Sequence, residues 1–104
     1  MAIMEISVAP IGTGNTSISS YVADCIRVLK KSKLPFEMSA MGTNVEGDLK
    51  KLFDIAFKMH QVPFRKGAQR VVTTLRVDDR RDKKGTLAGK KKAVQDKLTR
   101  KKRD

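Results

Sequence analysis

Seven charged residues of both signs run without interruption from Asp78 to Lys84, directly after an alternating stretch that begins at Thr73. A strand usually ends in a turn rich in Gly, Asn or Pro. A mixed cluster in that place suits an ion, a charged small molecule or a partner chain. Arg76, Asp78, Asp79, Arg80 and Arg81 are therefore candidates for ion pairs across subunits or beside a ligand. Residues Ile11-Gly-Thr-Gly14 sit between a strand and a helix start, where free N–H groups can receive an anion or a polar ligand. Gly12 and Thr13 are the candidates there. No Lys-Ser/Thr follows and the dinucleotide spacing is missing, so a plain turn explains this loop as well. The third candidate is Met41-Gly-Thr-Asn-Val-Glu-Gly47, with Met41, Gly42, Thr43 and Glu46. The alternating phase can turn Glu46 toward an open sheet face, where it is either a ligand or a solvated edge charge.

Other chemistry is weakly represented. His60 is the sole histidine and has no Cys or second His near it in sequence, so no metal site is expected. A packing role with one hydrogen bond suits it. Cys25 falls in an apolar helix stripe and reads as a buried, inert thiol. No Ser/His/Asp or Cys/His arrangement is present, so no catalytic residue is assigned and an enzyme is not expected.

These residues must be positioned by a small body. The 104 residues allow one domain with one core, and that core lacks Trp. The net charge of +12 first suggests nucleic acid. However, residues 80–104 alone carry +9, leaving +3 for the remainder. The basicity belongs to the C-terminal segment, with residues 1–98 as one domain and residues 99–104 as a basic tail. One cysteine excludes an internal disulfide and fits a reducing, cytoplasmic compartment. No apolar run approaches the roughly 18 residues of a membrane span.

Met4, Ile6 and Val8 alternate with Ile3, Glu5 and Ser7, which predicts a first strand over residues 2–10. Ser17 or Ser19 can cap a helix carrying Ile18, Tyr21, Val22, Cys25, Ile26 and Leu29 on one face. A second strand follows Pro35 through Phe36, Met38 and Ala40; Gly42 interrupts it, and Thr43 to Glu46 forms a short third. A second helix aligns Leu49, Leu52, Phe53, Ala56, Phe57 and His60; Pro63 should end or kink it, and Gly67 suits its C-terminal boundary. Residues 70–78 alternate as a fourth strand. The order β-α-β-β-α-β specifies an α+β ferredoxin-like split βαβ fold: a four-stranded antiparallel sheet with both helices on one face. Glu5, Ser7, Glu46, Thr74 and Arg76 fall on the uncovered face, a natural surface for self-association or a ligand. Leu87, Val94 and Leu98 mark a further, C-terminal helix whose narrow stripe packs on this subunit or a neighbour. Residues 99–104 read as frayed. The strands offer only Phe36 for base stacking, against sequence-specific RNA binding.

Together, Val8-Ala-Pro-Ile-Gly-Thr13, the SISSYVA run of residues 17–23, Met41-Gly-Thr43 with Val45-Glu-Gly47, and the segment from Thr73 to Lys84 resemble the small thiamine-binding, YkoF-like family. The likeness covers almost the whole chain, departing at Pro63 and in the Lys/Arg-rich end. It implies a ferredoxin-like fold, sheet-to-sheet dimers that often pair into tetramers, no established catalytic activity, and, as in some members, binding of thiamine or its hydroxymethylpyrimidine half. Against that ligand, Ser7, Thr43 and Glu46 would supply polar contacts and Met41, Phe57 and Phe64 the walls. Arg76, Arg80 and Arg81 would suit a phosphorylated form or an intersubunit carboxylate. Glu5, Thr74, Asp78 and Asp79 complete the expected oligomer interface. The expectation is a non-catalytic carrier or sensor that acts as a homo-oligomer, without cofactor or membrane. The alternative is a structural oligomer whose basic C-terminal segment contacts nucleic acid or another protein.

Overall fold

The computed structural model describes residues 1–14, 18–82 and 87–103. Strand β1 (Ala2–Ile11) lies inside a four-stranded antiparallel sheet, with β2 (Phe36–Ser39), β3 (Gly42–Gly47) and β4 (Arg70–Asp79) in the order β2-β3-β1-β4. Helices α1 (Ser19–Ser32) and α2 (Leu49–Arg65) cross over between non-adjacent strands. This is the α+β split βαβ arrangement expected from the order of elements. Met4 and Ile6 of β1 and Val45 of β3 pack against Cys25, Ile26 and Leu29 of α1 and Leu52, Ile55 and Met59 of α2. The alternation of β1 is kept: Met4 and Ile6 are buried while Ser7 is exposed.

Several boundaries differ from expectation for identifiable reasons. The β2–β3 turn falls on Ala40 and Met41, and Gly42 opens β3 rather than interrupting β2. A Cβ on Gly42 would stand 3.1 Å from the Ile6 carbonyl oxygen, so glycine allows the hairpin to close on β1. Ser39 Oγ donates to the Gly42 carbonyl at 2.8 Å and ties the turn. Ile18, not a serine, holds the cap position of α1 and gives no side-chain cap bond; Ser17 lies outside the described residues.

In α2 the buried side is Leu52, Ile55, Ala56, Met59, Val62 and Pro63, whereas Phe53 and Phe57 are 50% and 65% exposed. The helix carries apolar residues around more than half its circumference, and the aliphatic stripe takes the core. Pro63 does not end α2 but sits buried in its last turn, with two further helical residues. Its missing N–H would have bonded the Met59 carbonyl. Instead, Cys25 Sγ lies 3.5 Å from that oxygen and donates its S–H to it. Past Lys66, the N–H groups of Gly67 and Ala68 return to the carbonyls of Phe64 and Pro63, with Gly67 at φ +97°.

The face of the sheet opposite α1 and α2 carries Glu5, Glu37, Glu46 and Asp78 with two bases, Arg76 and, at the far end of β4, Arg70, in the cross-strand rows set by the pairing. Helix α3 (Leu87–Arg103) starts across one end of that face. Its Leu87 N–H donates to Glu46 Oε2 at 3.3 Å, Lys91 meets Glu37 at 2.7 Å, and Lys90 pairs with Asp78. Beyond this anchor Val94 and Leu98 remain 58% and 55% exposed. The expected frayed tail is helical to Arg103; Lys and Arg are good helix formers and suit a helix C-terminus.

Candidate functional site

The β1–β3 ladder stops at the pair Ile6–Thr43, whereas the β1–β4 ladder continues to Ile11–Arg70. From Ser7 onward β1 therefore has no β3 partner, and Pro10, which lacks an N–H to give, falls in this one-sided stretch. A cleft of about 260 Å³ opens beside it. Its floor is Ile6, Ser7 and Val8 of β1; one wall is the hairpin from Met38 to Thr43. The other wall is Ile18, Val22, Cys25 and Ile26 around α1, with Met59 of α2 at the bottom.

The chemistry of this lining is specific. Cys25, Met38, Met41 and Met59 are four of the six sulfur-bearing residues in the chain. Thioethers are polarizable and make favourable contacts with aromatic rings. Met41 is 87% and Met38 61% exposed, so both are free to fold over an occupant at the rim. Polar lining residues are few: Ser7, Ser39 and Thr43, with the main chain of β1's unpaired edge. No charged side chain is among the described lining residues. Burial, reinforced by the Asp24 charge, pushes the Cys25 thiol up to about 11. It stays protonated at neutral pH, a donor to Met59 and a poor nucleophile. Cys25→Ala should cost about 1–2 kcal/mol in urea unfolding. In Pro63→Ala, which returns a helix N–H to Met59, the same substitution should cost measurably less.

Of the residues singled out from sequence, the structure brings Ser7, Met41, Gly42 and Thr43 together at this cleft. The others lie elsewhere. Glu46 and Arg76 are on the open sheet face, where Arg76 bonds Glu5 at 2.9 Å. Phe57 and Phe64 are on the outer side of α2, Phe64 edge-on to His60 with 5.5 Å between ring centroids. Gly12, at φ +75°, and Thr13 follow the end of β1 outside the cleft lining. Arg80 pairs with Asp82 at 2.6 Å and Arg81 with Asp79 at 2.9 Å within the subunit. Those carboxylates raise the affinity of both guanidiniums for their protons. Ile18, Val22, Met38 and Met59 were not anticipated as lining, because apolar residues on a helix stripe, or alternating along a strand as Met38 does, read as core. Among the described residues no group of His, Cys, Asp and Glu could hold a metal ion, and no helix is long and apolar enough to cross a membrane.

Below the cleft, Asp24 of α1 binds Lys66 at 2.6 Å and also pairs with Arg27, while Lys66 lies 4.7 Å above the Tyr21 ring. The Lys66 hydrogen bond, aided by both positive charges, holds the Asp24 carboxyl below its ordinary value. A depressed folded-state value gives stability that is present above the unfolded value and lost as pH falls through the folded one. The acid-induced fall in urea midpoint should be smaller in Asp24→Asn than in the wild type.

A family model described as thiamine-binding protein matches residues 4–95. The chain belongs to that family. The UPF0045 protein YqgV of Bacillus subtilis is 43% identical over 98 residues, covering 90% of this chain and 94% of that one. A UPF0045 protein of Methanothermobacter thermautotrophicus is 41% identical over 99 residues, with 94% of this chain and all of the other covered. The crystal structure of hypothetical protein MJ1052 from Methanocaldococcus jannaschii superposes with a TM-score of 0.81 at 39% identity, covering 89% of this chain and 94% of that one. The thiamine-binding family thus shares this fold along nearly the whole chain.

Proposed function

We propose that this member of the thiamine-binding family holds the hydroxymethylpyrimidine half of thiamine, free or within thiamine, in the cleft beside β1. It releases the ligand unchanged, as a carrier or sensor. The observation that carries this reading is the uncharged, sulfur-lined cleft along an unpaired strand edge. An aminopyrimidine is flat, polarizable and alternates donors and acceptors along one edge. A free strand edge alternates N–H and C=O groups in the same way. The thiazolium of thiamine would lie outward across Met41. A phosphorylated form gains nothing here, since no cation lines the cleft. The buried, protonated Cys25 suits a reducing, cytoplasmic setting. The open sheet face, with its Glu5–Arg76 pair, supports self-association into a homo-oligomer. Titration calorimetry with hydroxymethylpyrimidine, thiamine and thiamine diphosphate tests the ligand. Heat is expected for the first two, with the diphosphate weaker; no heat for any of them would overturn the reading.

A second reading rests on α3, whose residues 87–103 carry a net +7 on a helix that is exposed from Lys92 to Thr99. Such a helix suits the phosphate backbone of nucleic acid, bound without sequence preference and weakened steeply by salt. A chain ending at residue 91 keeps the Lys90 and Lys91 anchors. It should lose nucleic-acid binding while retaining calorimetric heat with hydroxymethylpyrimidine.

A further inference from the structure

The methionines divide sharply by exposure. Met4 and Met59 are 0% and 2% exposed, whereas Met1, Met38 and Met41 are 45%, 61% and 87% exposed. Met38 and Met41 both line the cleft. Met38 ends a cross-strand row with Thr43 and Ile6; directly opposed residues share a sheet face, so it stands on the helix side with two buried neighbours. Met41 occupies the β2–β3 turn, a place that Gly, Asn, Asp or Ser ordinarily takes. Neither residue belongs to the core or packs against it, so packing does not account for two thioethers at this rim.

Exposure also decides which sulfur an oxidant reaches. The Cys25 thiol does not compete: it is 4% exposed, stays protonated and gives its S–H to the Met59 carbonyl, and the thiolate is the reactive form. We propose that Met38 and Met41 are a peroxide-responsive gate on the cleft, which loses its hold on a flat ring when a hydroperoxide converts both to sulfoxides. The gate rests on the cleft being the ligand site; the selectivity for these two methionines does not. In each step a sulfur lone pair attacks the terminal peroxide oxygen, so that an S–O bond forms and the O–O bond breaks. The proton of the transferred oxygen passes to the departing one, which leaves as water or an alcohol. Sulfur is oxidised by two electrons and the peroxide is reduced by two. The product is polar, and its oxygen needs hydrogen-bond donors that the apolar lining scarcely supplies. Both side chains therefore turn to water and the ring loses two sulfur contacts. A dithiol reverses the change through the methionine sulfoxide reductases, giving a thioether, a disulfide and water.

The full chain is treated with hydrogen peroxide, mapped by peptide mass spectrometry and titrated with hydroxymethylpyrimidine by calorimetry beside the untreated chain. One added oxygen is expected on each of Met38 and Met41 and none on Met4, Met59 or Cys25. The circular dichroism spectrum should be unchanged and the affinity about 10-fold lower, returning after reduction by the two reductases with a dithiol. Met38→Leu combined with Met41→Leu keeps the wall volume without the sulfur. That variant should bind more weakly than the wild type, yet equally before and after peroxide. It retains Met1, so a peroxide-dependent loss in it would place the effect outside the cleft and overturn the gate. Undiminished affinity in the oxidised wild type would overturn the gate alone. Oxidation of Cys25 or Met59 ahead of Met41 would overturn the selectivity. No heat from the untreated chain would overturn the ligand reading, and the gate with it.

Discussion

Ile18→Trp is expected to abolish detectable binding of hydroxymethylpyrimidine while leaving the fold intact. Ile18 stands at the start of α1, is 37% exposed, and contributes to the wall of the 260 Å³ cleft. An indole there takes the volume a single flat ring would need, against Met41 and Val22, without entering the packed core beneath. Because the residue precedes the first helical turn, little helix stability is at stake. The measurement is calorimetric titration beside urea unfolding: lost heat with an unchanged unfolding midpoint. Retained binding would move the ligand out of the cleft.

The second large effect contrasts two neighbours in α2. Leu52→Ala should destabilise the chain by about 2–5 kcal/mol, while Phe53→Ala should cost less than about 1 kcal/mol at concentrations where the chain is monomeric. Leu52 is fully buried and belongs to the core cluster, and its truncation leaves a cavity. Phe53 is larger but half exposed, so its removal returns little surface to water. Residue size alone predicts the reverse order. Urea unfolding of both variants decides it.

That contrast also locates the limits of sequence reading. The alternation of Met4, Ile6 and Val8, the stripe ending in Cys25, Ile26 and Leu29, and the order of the elements were enough to predict the split βαβ fold. In α2 the apolar residues wrap so far round the helix that two overlapping stripes compete. Only the fit of Leu52, Ile55 and Met59 onto β1 decides between them. Pro63 was read as a helix breaker because its local cost is visible in sequence. The Cys25 thiol that takes up the freed Met59 carbonyl comes from 34 residues away.

The cleft was half legible. Ser7, Met41, Gly42 and Thr43 were marked by a strand and a glycine-bearing turn whose sequences resemble the thiamine-binding family. The α1 wall was hidden, since a lining residue and a core residue obey the same periodicity. What separates them is the early end of the β1–β3 ladder at Ile6–Thr43, a register property that no single strand records. The charged cluster that dominates the sequence is instead largely satisfied within the subunit, Arg80 by Asp82, Arg81 by Asp79 and Asp78 by Lys90.

The central claim, a neutral heterocycle beside the free edge of β1, is tested most directly by amide shift mapping in a ¹H–¹⁵N NMR titration with hydroxymethylpyrimidine. The account predicts shifts concentrated on Ser7, Val8, Ile18 and the Met38 to Thr43 hairpin, with Glu46 and Arg76 still. Shifts centred on Glu46 and Arg76 across the open sheet face, or none at all, would contradict it.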